Sequence, residues 1–319
     1  MLYYRIYVYL RRHKVGKPFP NSSSTYRTNY PPPHPNIRIC LLQVDHPPKL
    51  LASPQSDPLN ELTMALPNTF QVYLPHPKQT KLLSKTSIYH IGSPDAPTIY
   101  TSKHDTTWKG KTTIALHPGL DTSSTPVAHT ENESWKNSNA ICTVLPLSIP
   151  ESSADSKRQP EEPISERISM HSSLKRETWT FVFPITLPDG TTQAEKFEWR
   201  SSHGPETAAL RDGKATYGFK LVRLDSDAPT KPGGARDSRE EGESSDGKEV
   251  VAVWSDDTST WYRGLESGVK GKFEFLGSGR LDGVLGERWR VMALMSALRM
   301  RQVRLQYGAA ATTAAVAAA

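Results

Sequence analysis

The chain has 319 residues, 36% of them apolar, with 26 prolines and a mean hydropathy of −0.55: enough for one sizeable core beside segments that never pack. Its net charge of +6 is concentrated in residues 1–63, which hold 8 basic and 3 acidic residues, so the remainder is almost neutral and argues against a nucleic-acid partner. Two cysteines, Cys40 and Cys142, make neither a disulfide framework nor a zinc site, and no span reaches the ~18 uncharged apolar residues of a membrane helix.

Residues 1–63 read as a disordered, Pro-rich basic arm, because Pro31-Pro32-Pro33, Pro35, Pro47-Pro48, Pro54 and Pro58 prevent regular pairing. Arg5, Arg11, Arg12, Lys14 and Lys17, with no acid before Asp45, resemble a transit peptide only weakly, and Met1–Leu10 lacks the apolar region of a secretory signal. Met64 stands just before the first strand and is the expected native start, which would make the arm no part of the native protein.

From Thr69 the pattern becomes short β-type runs between turn residues. Thr69–Leu74 places Phe70, Val72 and Leu74 on one face; Thr86–Ile91, Pro97–Thr101, Thr112–Leu116, Val127–Thr130 and Asn139–Leu145 follow. In Glu177–Ile185, Trp179, Phe181 and Phe183 share a face, and Gln193–Arg200 alternates Phe197 and Trp199 with Lys196, Glu198 and Arg200. The turn Pro188-Asp189-Gly190 between them predicts a hairpin, since proline sets φ and glycine accepts a positive φ. Tyr217–Leu224, Glu249–Trp254 and Lys270–Leu276 complete roughly eleven strands, a number that suggests a closed barrel or a sandwich.

Residues 147–174 and 225–247, rich in Ser, Pro and acids, are expected to be mobile insertions, with serines open to phosphorylation. Gly286–Tyr307 then predicts a helix carrying Trp289, Val291, Leu294, Met295 and Leu298, with no charge between Val291 and Leu298. A helix apolar all round is buried in protein or lipid, and this stretch is too short for lipid. Arg288, Arg290, Arg299, Arg301 and Arg304 stand at its two ends, and an Ala-rich tail follows from Gly308.

A β-rich chain that closes on one greasy helix resembles the tubby C-terminal-like superfamily, which includes LURP-one-related proteins and phospholipid scramblases, and especially its fungal members. The stretches that carry the likeness are Asn68–Leu74, Phe197–Arg200 with Ser202-His203-Gly204, Gly218–Leu224, Glu249–Trp254 and Gly286–Trp289. The resemblance spans about residues 68–307 and implies a closed antiparallel barrel of about twelve strands around a central C-terminal helix. It also implies a non-enzymatic protein that binds a phosphoinositide or other anionic headgroup, or a protein partner, in the cytoplasm or peripheral to a membrane. No basic phosphate motif of tubby proper is present, nor the cysteine-rich stretch of scramblases.

Catalytic signatures are missing. No phosphate-binding glycine loop precedes a helix, no Gly-x-Ser-x-Gly occurs, and the ten histidines, among them His76, His90, His104, His117, His129 and His171, show no ligand spacing. Gly277-Ser278-Gly279 reads as a turn into the helix, and the sequon Asn132-Glu133-Ser134 carries no meaning without a secretory signal. Cofactors and metals are therefore not expected. Arg200, His203, Lys220 and Arg223 form the candidate ligand site, a cationic rim able to hold a phosphate by charge-assisted hydrogen bonds. The alternative is an adaptor that recruits partners through its disordered loops.

Overall fold

The computed structural model describes residues 65–75, 86–107, 111–147, 161–210, 218–227, 242–256 and 268–318, except 94, 135–137, 174–175, 188 and 282–283. The expected arm 1–63 lies outside the described residues, as do Cys40, Met64 and His76. Twelve strands run β1 (Thr69–Leu74), β2 (Thr86–Gly92), β3 (Tyr100–Thr106), β4 (Thr112–Pro118), β5 (Ala128–Asn132), β6 (Ala140–Val144), β7 (Ile164–Ser172), β8 (Glu177–Thr186), β9 (Thr192–Ser202), β10 (Gly218–Asp227), β11 (Lys248–Asp256) and β12 (Gly268–Phe275). A short helix, α1 (Pro205–Ala209), follows β9, and α2 (Glu287–Ala318) ends the chain.

Each strand pairs antiparallel with its sequence neighbour, and β1 pairs with β12, so the sheet closes into a barrel without edges. The β8–β9 hairpin shows how local pattern sets register. Gly190 adopts φ +83° in the turn, Trp179 faces Trp199, and Phe181 stacks on Phe197 at 5.3 Å. Most apolar strand residues point inward, Val222, Val250 and Val253 form a second cluster with Leu210 and Leu276, and outward faces carry ion pairs such as Lys111–Glu131 and Arg167–Glu133. Membrane barrels carry the reverse pattern, an apolar band facing out. Among the described residues, no helix is long and apolar enough to cross a membrane.

The interior is filled by α2. Trp289, Val291, Leu294, Met295 and Leu298 are all buried, as are their neighbours on every side of the helix. Residues of α2 touch strands all round: Trp289 packs on Phe197 and Phe275, Ser296 accepts a hydrogen bond from Trp199 Nε1 at 2.8 Å, and β4, β5 and β6 line the opposite side. Each such large side chain removed from water contributes about 1.5–3 kcal/mol. The helix continues past Tyr307 to Ala318, as the high helix propensity of alanine favours.

The arginines explain how a greasy helix is held at a fixed depth. At one mouth Arg288 donates to the carbonyls of Val144 and Glu162, and Arg290 to Asn68 Oδ1 at 2.7 Å. At the other, Arg299 donates to Thr112 Oγ1 and the Ser138 carbonyl, while Arg301 and Arg304 meet Asp256. The apolar segment thus spans the barrel and its charged ends are fastened to both rims.

The expectation of a mobile insertion at 147–174 needs correction, because β7 lies within it. In β7 only Ile168 is fully buried, with Ile164 and Met170 partly so; Glu166 takes an inward position among them, and Ser165, Arg167 and Ser169 alternate with these. So few inward apolar residues leave little signal, and it is pairing with β6 and β8 that makes this segment a strand. Residues 225–227 likewise belong to β10 and 242–247 form a turn before β11. Residues 148–160 and 228–241 lie outside the described ones.

Around the Arg299 end the barrel interior is polar. His104 lies inside, bonded to Ser102 Oγ at 2.8 Å and edge-on to Tyr89. Burial, reinforced by Arg301 and Arg299, pushes its pKa down to about 3. The folded chain therefore refuses a proton that the unfolded chain takes up near 6.5, and this stability is present above pH 6.5 and lost as pH falls toward 3. Urea unfolding between pH 6.5 and 5 is expected to show a loss of about 1.4 kcal/mol per pH unit from this group, a slope that His104→Gln removes. An equal slope in the variant would show that His104 is protonated in the fold.

Candidate functional site

Antiparallel pairing of β8, β9 and β10 sets Thr178, Arg200 and Lys220 in one row across the outer face of the barrel. Their side chains alternate with the inward Trp179, Trp199, Phe219 and Leu221, so the row faces away from the core. The turn 242–247 leads into β11 and folds over this row. Lys220 Nζ donates to the Glu243 carbonyl at 3.5 Å, and Arg200 Nη1 to Asp246 Oδ1 at 2.7 Å. Between turn and sheet is a cavity of about 310 Å³, lined by the cations Arg176, Arg200 and Lys220, the acids Glu177, Glu198 and Asp246, and Thr178, Ser201 and Ser245.

Charge in this cleft is closely balanced locally. Arg200 Nε donates to Glu198 Oε1 at 2.6 Å; burial lowers its pKa, and the bonds to Asp246 and Glu198 raise it further than that. For Asp246 partial burial raises the pKa, but hydrogen bonds from Arg200 and Ser244 outweigh it and bring the carboxyl down to about 2. Arg176 has no carboxylate partner among the described residues. Three cations line the pocket beside three carboxylates, Glu177, Glu198 and Asp246, so an incoming anion competes with these for the cations.

The four candidate residues do not form one cluster. Arg200 and Lys220 are direct cross-strand partners. His203 follows β9 and is exposed, on the way to α1. Arg223 shares the inward parity of Phe219 and Leu221, and so lies on the other side of the sheet from Lys220. There it grips Glu195 with two hydrogen bonds of 2.5 and 2.6 Å and reaches Ser278 Oγ at 3.4 Å and Glu249 Oε2 at 3.5 Å. The pKa of Arg223 is raised, chiefly by its bond to Glu195. This network closes the barrel mouth beside the 3-10 turn Gly277–Gly279 and is structural.

Arg176, Ser245 and Asp246 were not legible as site residues, because each reaches the cleft from a turn whose position depends on the closed sheet. A second cavity of about 350 Å³ opens at the start of α2, over Leu147, Ile164, Phe183 and Leu285. Its charged rim is self-paired, Arg288 with Glu161 and Glu287 with Arg290. Among the described residues no three His, Cys, Asp or Glu side chains gather as metal ligands. Cys142 is buried in the core, where desolvation pushes its thiol pKa up, and the sequon residue Asn132 is buried and bonded to Thr112. No family model matches this chain, and no curated protein or solved structure is similar to it.

Proposed function

We propose that the chain is a non-enzymatic barrel of the tubby-like kind that binds an anionic headgroup, of phosphoinositide type, over Arg200 and Lys220. The observation that carries this reading is the placement of two cations directly opposite each other on neighbouring strands. In the free chain Glu198 and Asp246 offset the charge of Arg200, and a headgroup binds there by taking the place of the half-exposed Asp246 carboxylate. The cavity beside them adds Arg176 and Thr178, set against Glu177. Support for the kinship is architectural: a closed twelve-strand barrel with its last helix buried through the centre. Folds host unrelated activities, so the cleft and not the barrel is the argument for binding. A protein bound in this way is peripheral to the membrane surface.

Flotation with vesicles containing phosphatidylinositol phosphates, against neutral phosphatidylcholine vesicles, tests the reading. The parent chain is expected to float only with the anionic vesicles. Arg200→Ala with Lys220→Ala removes two cations at about 1 kcal/mol each and weakens binding roughly 30-fold. Flotation that is absent in the parent, or unchanged in the double variant, rejects the site.

A further inference from the structure

The turn that roofs the cleft carries two serines in different states. Ser244 is fully buried; its hydroxyl donates to Asp246 Oδ1 at 2.6 Å and accepts from the Lys248 N–H at 2.9 Å. It is used up in holding the turn. Ser245 is exposed, and its hydroxyl has no hydrogen bond among the described residues. It lies on the cavity wall with Arg176, Arg200 and Lys220, and with Glu177, Glu198 and Asp246.

The next residue shows how far the turn reaches. Asp246 puts a carboxylate on Arg200 Nη1 at 2.7 Å, so an anion carried by the turn already occupies one of the cleft's cations. Half-exposed at 48% of its side chain, that carboxylate is open to competition from a stronger anion. A phosphate carries a charge of roughly −1.5 to −2 and three acceptor oxygens, and opposite an arginine cluster it forms charge-assisted hydrogen bonds. Gly242 and Gly247, at φ +92° and +74°, bracket the turn and give it joints that other residues rarely supply. Acidic residues on both sides, Glu241, Glu243 and Asp246, match the substrate preference of acid-directed kinases.

We infer that Ser245 is a phosphoacceptor whose phosphate docks onto Arg176, Arg200 and Lys220 and so shuts the cleft to an outside anion. An acid-directed kinase transfers the γ-phosphoryl group of ATP to Ser245 Oγ. The new P–O bond forms to serine, the bond to ADP breaks, and the hydroxyl proton passes through the kinase's base to solvent. The docking part stands on the geometry of the turn; the shutting part rests on the headgroup reading above.

The test phosphorylates the full chain with ATP and an acid-directed Ser/Thr kinase and maps the site by mass spectrometry, with Ser245→Ala as the control. Phosphate on Ser245 is expected; modification that leaves Ser245 untouched overturns the assignment. Phosphorus NMR then follows titration of the phosphoserine. A docked phosphate titrates below its usual value near 6, and Arg176→Ala with Arg200→Ala and Lys220→Ala returns it there. An identical titration in both chains overturns docking. Flotation with phosphatidylinositol phosphate vesicles is expected to weaken at least tenfold on phosphorylation, and unchanged flotation overturns the switch. If the unmodified parent does not float while its phosphate still docks, the headgroup reading fails and the self-docking site stands.

Discussion

Leu294→Asp or Met295→Asp is expected to leave the chain unfolded at room temperature. Both side chains are fully buried in the apolar run of α2, with barrel strands on every side. A carboxylate there meets no donor: the charged groups of the helix are held at the two rims, where their partners are the carbonyls of Val144, Glu162 and Ser138 and the carboxylate of Asp256. An unpaired buried charge costs far more than the whole 5–15 kcal/mol by which a domain is stable, unless it takes up a proton. Even as a neutral acid it leaves a polar group unsatisfied and a cavity where Leu or Met stood. Leu294→Ala, which makes only the cavity, is expected to lose about 2–5 kcal/mol and stay folded. Trp179, Trp199, Trp254 and Trp289 are all buried, so tryptophan fluorescence reports the transition directly. An aspartate variant with the parent's melting curve would place the helix outside the barrel.

Arg223→Ala is expected to cost about 3–5 kcal/mol, the usual effect of removing one partner from a buried ion pair. The Arg223 side chain is 15% exposed and that of Glu195 only 4%, and the pair is bidentate. Without the guanidinium, Glu195 stays buried with no cation opposite it, while Glu249 loses an ion-pair partner and keeps the Ser278 N–H at 2.7 Å. Urea unfolding measures the loss, and Glu195→Gln with Arg223→Met, which removes both charges together, is expected to recover most of it. A change of less than about 0.5 kcal/mol for Arg223→Ala would mean that the pair is solvated. The same variant separates the two roles considered for Arg223, because vesicle binding is expected to survive in the molecules that remain folded.

Where local pattern was strong, the elements were legible. The alternation of Trp179, Phe181 and Phe183 against Phe197 and Trp199, with Pro188-Asp189-Gly190 between, located β8 and β9 and their pairing. Thr69–Leu74 was found at its observed limits. The strand expected at Pro97–Thr101 lies instead at Tyr100–Thr106, and the reason is chemical. After Tyr100 its inward positions are Ser102 and His104, polar residues of which His104 lies by Arg299 and Arg301 at the end of α2. A strand whose inner face serves a cationic helix end shows no apolar alternation. The site was half legible for a related reason: cation-rich strands were visible, but residues three apart, such as Lys220 and Arg223, fall on opposite faces of a sheet.

Two features of the chain were settled locally. The uncharged run from Val291 to Leu298 has no polar face to offer water, so it had to be enclosed, and period-two strands of this number were what could enclose it. Closure of β1 on β12, the entry of β7 into the sheet, and the meeting of Arg200, Lys220 and Asp246 were settled by folding in three dimensions. Periodicity tells each segment which face to bury, but register is a property of pairs of segments. Which carboxylate meets which cation depends on partners far apart in the chain, brought together only once the barrel has closed.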